Sequence, residues 1–385
     1  MIQSFLVYGL FAFLLWKFGK IAAKREEIYY DHGRKEVPFW TWEIFFSLLI
    51  FAVISGIRWQ VGVDHLSYLE GYERVKDGLS FNRYGNTSEP GFLLVTNLFT
   101  YFNAHFAFYF AFWAFLQLLF IYYAVRFERY LLPFIGILII FGPHYLSWMN
   151  GTRQMVAACM FVYAIQFIRD RKLVPYVITI LLAATIHKSA LVLLIFYFIP
   201  QKDYFKNRYI NLVLVGLTFY IGMNPTWLGA VEFAEQMLAF LGYERYSERL
   251  DLIVEYRREM NIGPRRLSIL FLNALIIWYA PKLKQVFKNT NYLIYFNFTF
   301  IGILLYNLFA NTSHIFLRPV SYFTIFLLLT TAYLLYYLKP KEKYMVNMRF
   351  VIVFLTAISY MIFAILSEFS NTGIDYTNYK FFFLN

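Results

Sequence analysis

Apolar residues recur along this chain in long blocks separated by short polar breaks, with no sustained alternation of the kind that marks half-buried strands. The blocks predict twelve spanning segments, at residues 2–16, 39–57, 104–125, 131–147, 150–168, 173–186, 190–200, 209–222, 266–280, 291–310, 319–338 and 350–367. Several are shorter than the ~20 residues that cross a bilayer upright, so broken or re-entrant helices are expected among them. The run Pro90–Phe102 is shorter still and reads as a half-helix dipping into one face. Between residues 224 and 264, apolar positions such as Val231, Met237, Leu238, Leu241 and Ile253 alternate with charged ones. That amphipathic stretch predicts a lid lying over a site or on the membrane surface. The aromatic tail Tyr376–Phe383 reads as an interface anchor. The expected fold is an all-α, polytopic membrane protein, a single integral domain over residues 1–385 with the lid-like segment inside it.

Composition changes this picture only in detail. Of 385 residues 60% are hydrophobic, 22% aromatic and 15% charged, which excludes an ordinary soluble domain. The basic excess, 35 Lys and Arg against 23 Asp and Glu, fits loops on an anionic leaflet and calls for no nucleic acid. Cys159 is the single cysteine, so no internal disulfide forms, and no Cys/His metal motif is present. The first apolar run has neither a charged leading segment nor a small-residue cleavage site and reads as a retained helix.

Alternating the loops places 21 of the 35 basic residues on one side, which the positive-inside rule makes cytoplasmic, with both termini outside. Lysine follows that rule, with 13 of 16 on the inner side; 11 of 19 arginines lie on the outer side. The outer cations stand where helices begin: His105, Arg153, His187 with Lys188, Arg265 with Arg266, and Arg318. A helix N-terminus already carries partial positive charge, so a cation there costs a few tenths to about 1 kcal/mol. A bound anion reverses the sign, and several such ends on one face make a receptor for phosphate or diphosphate. Snorkelling to lipid phosphates explains any one of these positions equally well, but five coincident positions favour the receptor.

Acids complete the candidate chemistry. Arg58 and Asp64 follow the apolar run 44–57, at a depth where an unmatched charge costs several kcal/mol. In a helix after Gly62, Asp64, Tyr68 and Tyr72 share one face. Glu89 precedes Pro90-Gly91 at another helix start, where it either complements the dipole or acts catalytically. Both carboxylates are read equally well as partners that balance the arginines.

In chain order, Arg58-x-x-x-Gly62-x-Asp64-x-x-x-Tyr68-x-x-x-Tyr72, Glu89-Pro90-Gly91-Phe92, Arg153-Gln154-x-x-Ala157, His187-Lys188-Ser189-Ala190-Leu191 and the late Arg318 resemble the EpsG family of Wzy-like polysaccharide polymerases. His65 departs from the pattern, standing where an aromatic residue is expected. The resemblance implies a GT-C-like glycosyltransferase of the bacterial cytoplasmic (inner) membrane, with its site on the extracytoplasmic side. It implies transfer of a glycan from undecaprenyl diphosphate to the non-reducing end of a second lipid-linked repeat unit. Asp64 is the first choice for activating the acceptor hydroxyl and Glu89 the second. Arg58, Arg153, His187, Lys188 and Arg318 are assigned to diphosphate, Arg265 and Arg266 more weakly, and Tyr68, Tyr72 and His65 to the acceptor sugar. No cofactor is required; a divalent metal at the two acids is permitted. Membrane lipids and a chain-length regulator are the further expected partners. The alternatives are an O-antigen-ligase-like or single-sugar polyprenyl-dependent transferase, and a lipid-linked oligosaccharide flippase.

Overall fold

With no water to bond to in a bilayer, the backbone of an apolar segment must satisfy itself, and helices do so locally. The computed structural model describes residues 1–31, 37–83, 88–199, 201–223, 262–312, 314–340, 342, 346–369 and 377–384, and it is helical almost throughout. The helices are α1 (Ile2–Asp31), α2 (Trp42–Gly56), α3 (His65–Lys76), α4 (Pro90–Tyr101), α5 (Phe106–Ala124), α6 (Leu132–Phe141), α7 (His144–Asn150), α8 (Thr152–Arg169), α9 (Leu173–Ile186), α10 (Arg208–Met223), α11 (Pro264–Val286), α12 (Tyr292–Phe309), α13 (His314–Thr324), α14 (Phe326–Leu338) and α15 (Met348–Phe369). A 3-10 segment, Lys188–Phe198, follows α9. Among the described residues, strand is confined to a two-residue antiparallel pairing of β1 (Arg58–Trp59) with β2 (Lys380–Phe381). The lid expected at 224–264 lies outside the described residues up to 261.

Among the described residues, six helices are long and apolar enough to cross a membrane, making this a multi-pass membrane protein. A pair bent by 63°, Arg129–Phe141 with His144–Asn150, brings the number to seven if counted as one span. The twelve expected crossings would also need α8 and four shorter apolar elements, which length and composition do not support as spans. The bend falls at Gly142-Pro143, where proline has no N–H to continue the ladder and turns the preceding residue extended. The segment expected as a span at 190–200 is the tighter 3-10 form.

Two helices carry the core. α8 is closed off over nearly its whole length, with Met155 through Val162 at most 4% exposed. Its small residues Ala157, Ala158, Cys159 and Ala164 let neighbours approach, and close packing replaces the hydrophobic drive that lipid does not supply. α14 is equally enclosed, and Phe161 meets Phe326 edge-on between the two helices at 5.5 Å. Around them α2 packs on α5, α1 on α6, α5 on α8, α8 on α9, and α10 and α13 on α12.

Polar contacts concentrate at two ends of the bundle. At one, Ser4 and Tyr8 of α1 hold the C-terminal segment: Tyr8 Oη donates to the Thr377 carbonyl at 2.8 Å, and Ser4 Oγ accepts from the Tyr379 N–H at 3.0 Å. Tyr379 Oη donates to the Ile54 carbonyl, and Glu368 receives the Thr377 and Asn378 N–H groups, both at 2.6 Å. About 33 Å further along α1, at 1.5 Å per residue, lies the other end. There Glu26 accepts from the Arg129 N–H at 2.9 Å, Arg129 Nη2 donates to the Pro38 carbonyl, and Glu128 accepts from Tyr333. The separation matches a hydrocarbon core of ~30 Å.

The C-terminal aromatics therefore do more than anchor at an interface. Tyr379 is 2% exposed and closes over the loop after α2, while Phe383 remains exposed at 60%; Tyr376 lies outside the described residues. Replacing Tyr379 with alanine removes that plug and the Ile54 bond, and is expected to cost about 3 kcal/mol, read as a lowered melting temperature in detergent.

Candidate functional site

The N-terminus of α8 organises one end of the bundle because the polar run Asn150-Gly151-Thr152-Arg153-Gln154 interrupts two apolar blocks there. Gly151 occupies the N-cap, and Arg153 lies in the first turn as expected. Asn150 does not cap the helix with its side chain; its Oδ1 accepts from the Asp64 N–H at 2.9 Å. Thr152 Oγ1 instead bonds back to the Met149 carbonyl. On the other flank, Gln154 Nε2 donates to the Arg318 carbonyl and, at 2.8 Å, to Ser321 Oγ.

Arg153 itself is held on three sides. Its Nη1 donates to Glu89 Oε2 at 2.7 Å, its Nε reaches Tyr68 Oη at 3.4 Å, and its guanidinium carbon lies 4.7 Å from the Phe92 ring centroid. The other Glu89 oxygen accepts from the Lys188 N–H at 3.2 Å and lies 3.4 Å from His187 Nδ1. That imidazole contact is electrostatic when the ring is protonated and is not aligned as a hydrogen bond. One acid thus gathers the starts of α4, α8 and the 3-10 segment.

The local sequence explains why Glu89 reaches so far. Pro90 takes the first turn of α4, where its missing N–H costs nothing. Gly91 then rests on Thr185 near the end of α9: a Cβ at this position would stand 2.9 Å from Thr185 Cβ and 3.0 Å from its carbonyl oxygen, with Oγ1 closer still. Only glycine permits that approach. His187 is extended between α9 and the 3-10 segment, which turns the Lys188 N–H toward the carboxylate. Ser189 Oγ shares a 2.9 Å hydrogen bond with Tyr322 Oη and ties α13 to the same face.

Burial alone would raise the Glu89 carboxyl. The adjoining His187 imidazole, the Arg153 guanidinium and the Lys188 N–H outweigh it and hold the group at about 2. Glu89 is therefore ionised at neutral pH and is a weak proton acceptor in this state.

The expected residues separate into three groups. Glu89, Arg153, Tyr68, His187 and Lys188 meet directly. Asp64 and Arg318 flank them: Asp64 lies one turn before Tyr68 and is held by Asn150, while Arg318 has an exposed side chain and a backbone carbonyl bonded to Gln154. Arg318 stands inside α13 and not at a helix start as expected.

The remaining residues lie elsewhere. Arg58 is 1% exposed, donates to the Ser55 and Val61 carbonyls and stacks on Phe110 at 5.0 Å. A cation suits the carbonyl-rich end of α2, and this one is buried in the neighbourhood of Tyr8, Tyr145 and Tyr379. Tyr72 is fully buried, donates to the Ala104 carbonyl at 2.7 Å and stacks on Tyr109. His65 is buried against Phe110 and Trp59; burial and then Arg58 push its imidazole down to about 3. It fills the aromatic slot in which the sequence pattern expects an aromatic residue. Arg265 and Arg266 begin α11, where Arg266 Nη2 donates to Asn307 Oδ1 at 2.9 Å and its guanidinium lies over Tyr306, while Arg265 lies over Tyr360. His105 caps α5 through Nδ1, which accepts from the Ala107 N–H.

Sequence reasoning missed the positioning roles of Asn150, Gln154, Ser189 and Tyr322. Asn150 was visible as a helix-start residue and Gln154 as a position of the family pattern, but their partners are 86 and 164 residues distant. Gly62, with φ +89°, signals the approach of the 58–64 loop to Met149 and Asn150, where a Cβ would meet the Met149 carbonyl carbon at 3.0 Å.

The model of the EpsG family matches residues 41–381 of this chain. Neither a curated protein nor a solved structure matches it.

Two outcomes are expected from this geometry. Replacing Gly91 with alanine should lower the melting temperature by the equivalent of about 1–3 kcal/mol, through overpacking on Thr185. Glu89 has a folded-state value below its ordinary 4.5, so its stabilisation is present above pH 4.5 and lost as pH falls toward 2. Melting curves across that window should show a loss of at most about 3 kcal/mol that Glu89→Gln removes.

Proposed function

Because the chain belongs to the EpsG family, we propose that it is a polysaccharide polymerase of the bacterial cytoplasmic membrane. Its donor is a glycan on undecaprenyl diphosphate, and its acceptor is the non-reducing end of a second lipid-linked repeat unit. The observation that carries this reading is the convergence of Arg153, His187 and the Lys188 N–H on a single carboxylate oxygen pair at one end of the bundle. Fixed donors that hold a carboxylate also suit the oxygens of a diphosphate.

In this reading the acceptor hydroxyl attacks the anomeric carbon of the donor. The new glycosidic bond forms as the bond from that carbon to the diphosphate oxygen breaks, and the hydroxyl proton passes to a carboxylate. Asp64 is the favoured base because Glu89 is committed to Arg153. Negative charge grows on the departing diphosphate, and Arg153, His187, Lys188 and Arg318 stabilise it in a water-poor setting. Asn150 orients Asp64 through its backbone, and Gln154 positions the turn bearing Arg318. Tyr68 lies beside Arg153 and is the residue of the acceptor set best placed to touch a sugar. The lysine bias of the loops in the sequence supports an outward orientation of this face.

Purified protein incubated with its lipid-linked repeat unit, with and without chelator, is expected to yield a ladder of chain lengths. Asp64→Asn and Arg153→Ala should each reduce the ladder about 100-fold or more while the protein remains folded. Wild-type ladders from either variant would refute the assignment. A single added unit would identify a one-step transferase, and unaltered substrate moved between leaflets a flippase.

A further inference from the structure

Resting on the reading of this face as a diphosphate site, we propose that the Glu89 carboxylate is the resident occupant of the anion seat and that a substrate phosphate binds by displacing it. The argument is one of counting donors. Glu89 uses both oxygens: Oε2 takes Arg153 Nη1 at 2.7 Å, while Oε1 takes the Lys188 N–H at 3.2 Å and faces His187 Nδ1 at 3.4 Å. Arg153 cannot swing to serve a second anion elsewhere without giving up its contacts. Phe92 lies against its guanidinium, and its Nε is directed at Tyr68. A phosphate that takes Arg153 Nη1 and the single Lys188 N–H must therefore take them from Glu89.

The arrangement has a physical reason. Arginine, imidazole and a helix-start N–H gathered without an anion repel one another and would capture any anion present. A tethered carboxylate keeps the three in register while the seat lacks substrate, and it is a weaker ligand than a diphosphate, which carries more charge and more acceptor oxygens. The tether is short and fixed, because Pro90 and Gly91 follow Glu89 directly and Gly91 rests on Thr185. Once displaced, Glu89 keeps its partly buried surroundings, loses its cationic partners and gains a phosphate neighbour. Each of these changes favours its protonated form, so diphosphate binding draws in a proton.

The test uses the full chain in lipid nanodiscs with inorganic diphosphate as the probe, followed by calorimetry in buffers of different ionisation enthalpy. Glu89→Gln, which keeps the shape of the side chain, and Glu89→Ala should each bind diphosphate about tenfold tighter than wild type. Arg153→Ala should lose binding. Wild type should take up a proton on binding near pH 6, and Glu89→Gln should not. Asp64→Asn removes an acid one turn before Tyr68 while leaving Glu89 in place, and should tighten binding less than about threefold if displacement rather than net charge is responsible. The proposal fails if both Glu89 variants bind no tighter than wild type, if Asp64→Asn tightens binding as much as they do, or if no form binds diphosphate. Polymer formation is scored separately. Diphosphate competition without a ladder would refute the polymerase reading and leave the displacement intact, and a ladder without competition would do the reverse.

Discussion

The ion pair between Arg153 and Glu89 is the contact on which this end of the molecule depends. It joins α4 to α8, and through the second carboxylate oxygen it adds the junction of α9 with the 3-10 segment. Neither partner is freely solvated, with side chains 22% and 19% exposed. At that depth a lone charge costs several kcal/mol, so each group makes the other tolerable. Neighbouring contacts then take their places from the junction of α7 and α8: Asn150 fixes Asp64 on one side and Gln154 fixes the backbone at Arg318 on the other.

The rest of the bundle supplies what that pair needs, a rigid N-terminus for α8. Small residues along α8 allow close packing on every side, and the burial of Phe161 against Phe326 links it to the second enclosed helix. The C-terminal segment matters for a related reason. By pairing with β1 and seating Tyr379 beneath it, the last described residues hold the loop from Arg58 to Asp64, and Gly62 lets that loop settle against Met149 and Asn150. Residues at the two ends of the chain thereby set the position of an acid near residue 64.

Arg58 and Arg153 show how two arginines in similar sequence settings part company. Each follows or opens an apolar block, and each sits at a helix terminus. Arg58 lies at a C-terminal end, where it finds carbonyls, an aromatic face and, among the described residues, no carboxylate, and it is enclosed. Arg153 lies at an N-terminal end, where carbonyls face away and an anion is wanted, and it meets Glu89. The helix polarity determines which arginine meets a carboxylate.

The sequence alone determined the helical, membrane-embedded class, the first-turn position of Arg153 and the family pattern that runs through Asp64, Glu89, Arg153 and His187. These are readable because hydropathy, charge bias and helix-start residues act over a few neighbours. The tertiary structure decided which of the marked residues meet. Tyr68 and Tyr72 lie one turn apart on α3, yet one reaches Arg153 and the other is buried under Tyr109. Arg265 and Arg266 resemble Arg153 in local sequence, but they open onto Asn307, Tyr306 and Tyr360. Contacts of this kind join positions tens to hundreds of residues apart, and they follow from how helices pack, a property no local pattern encodes.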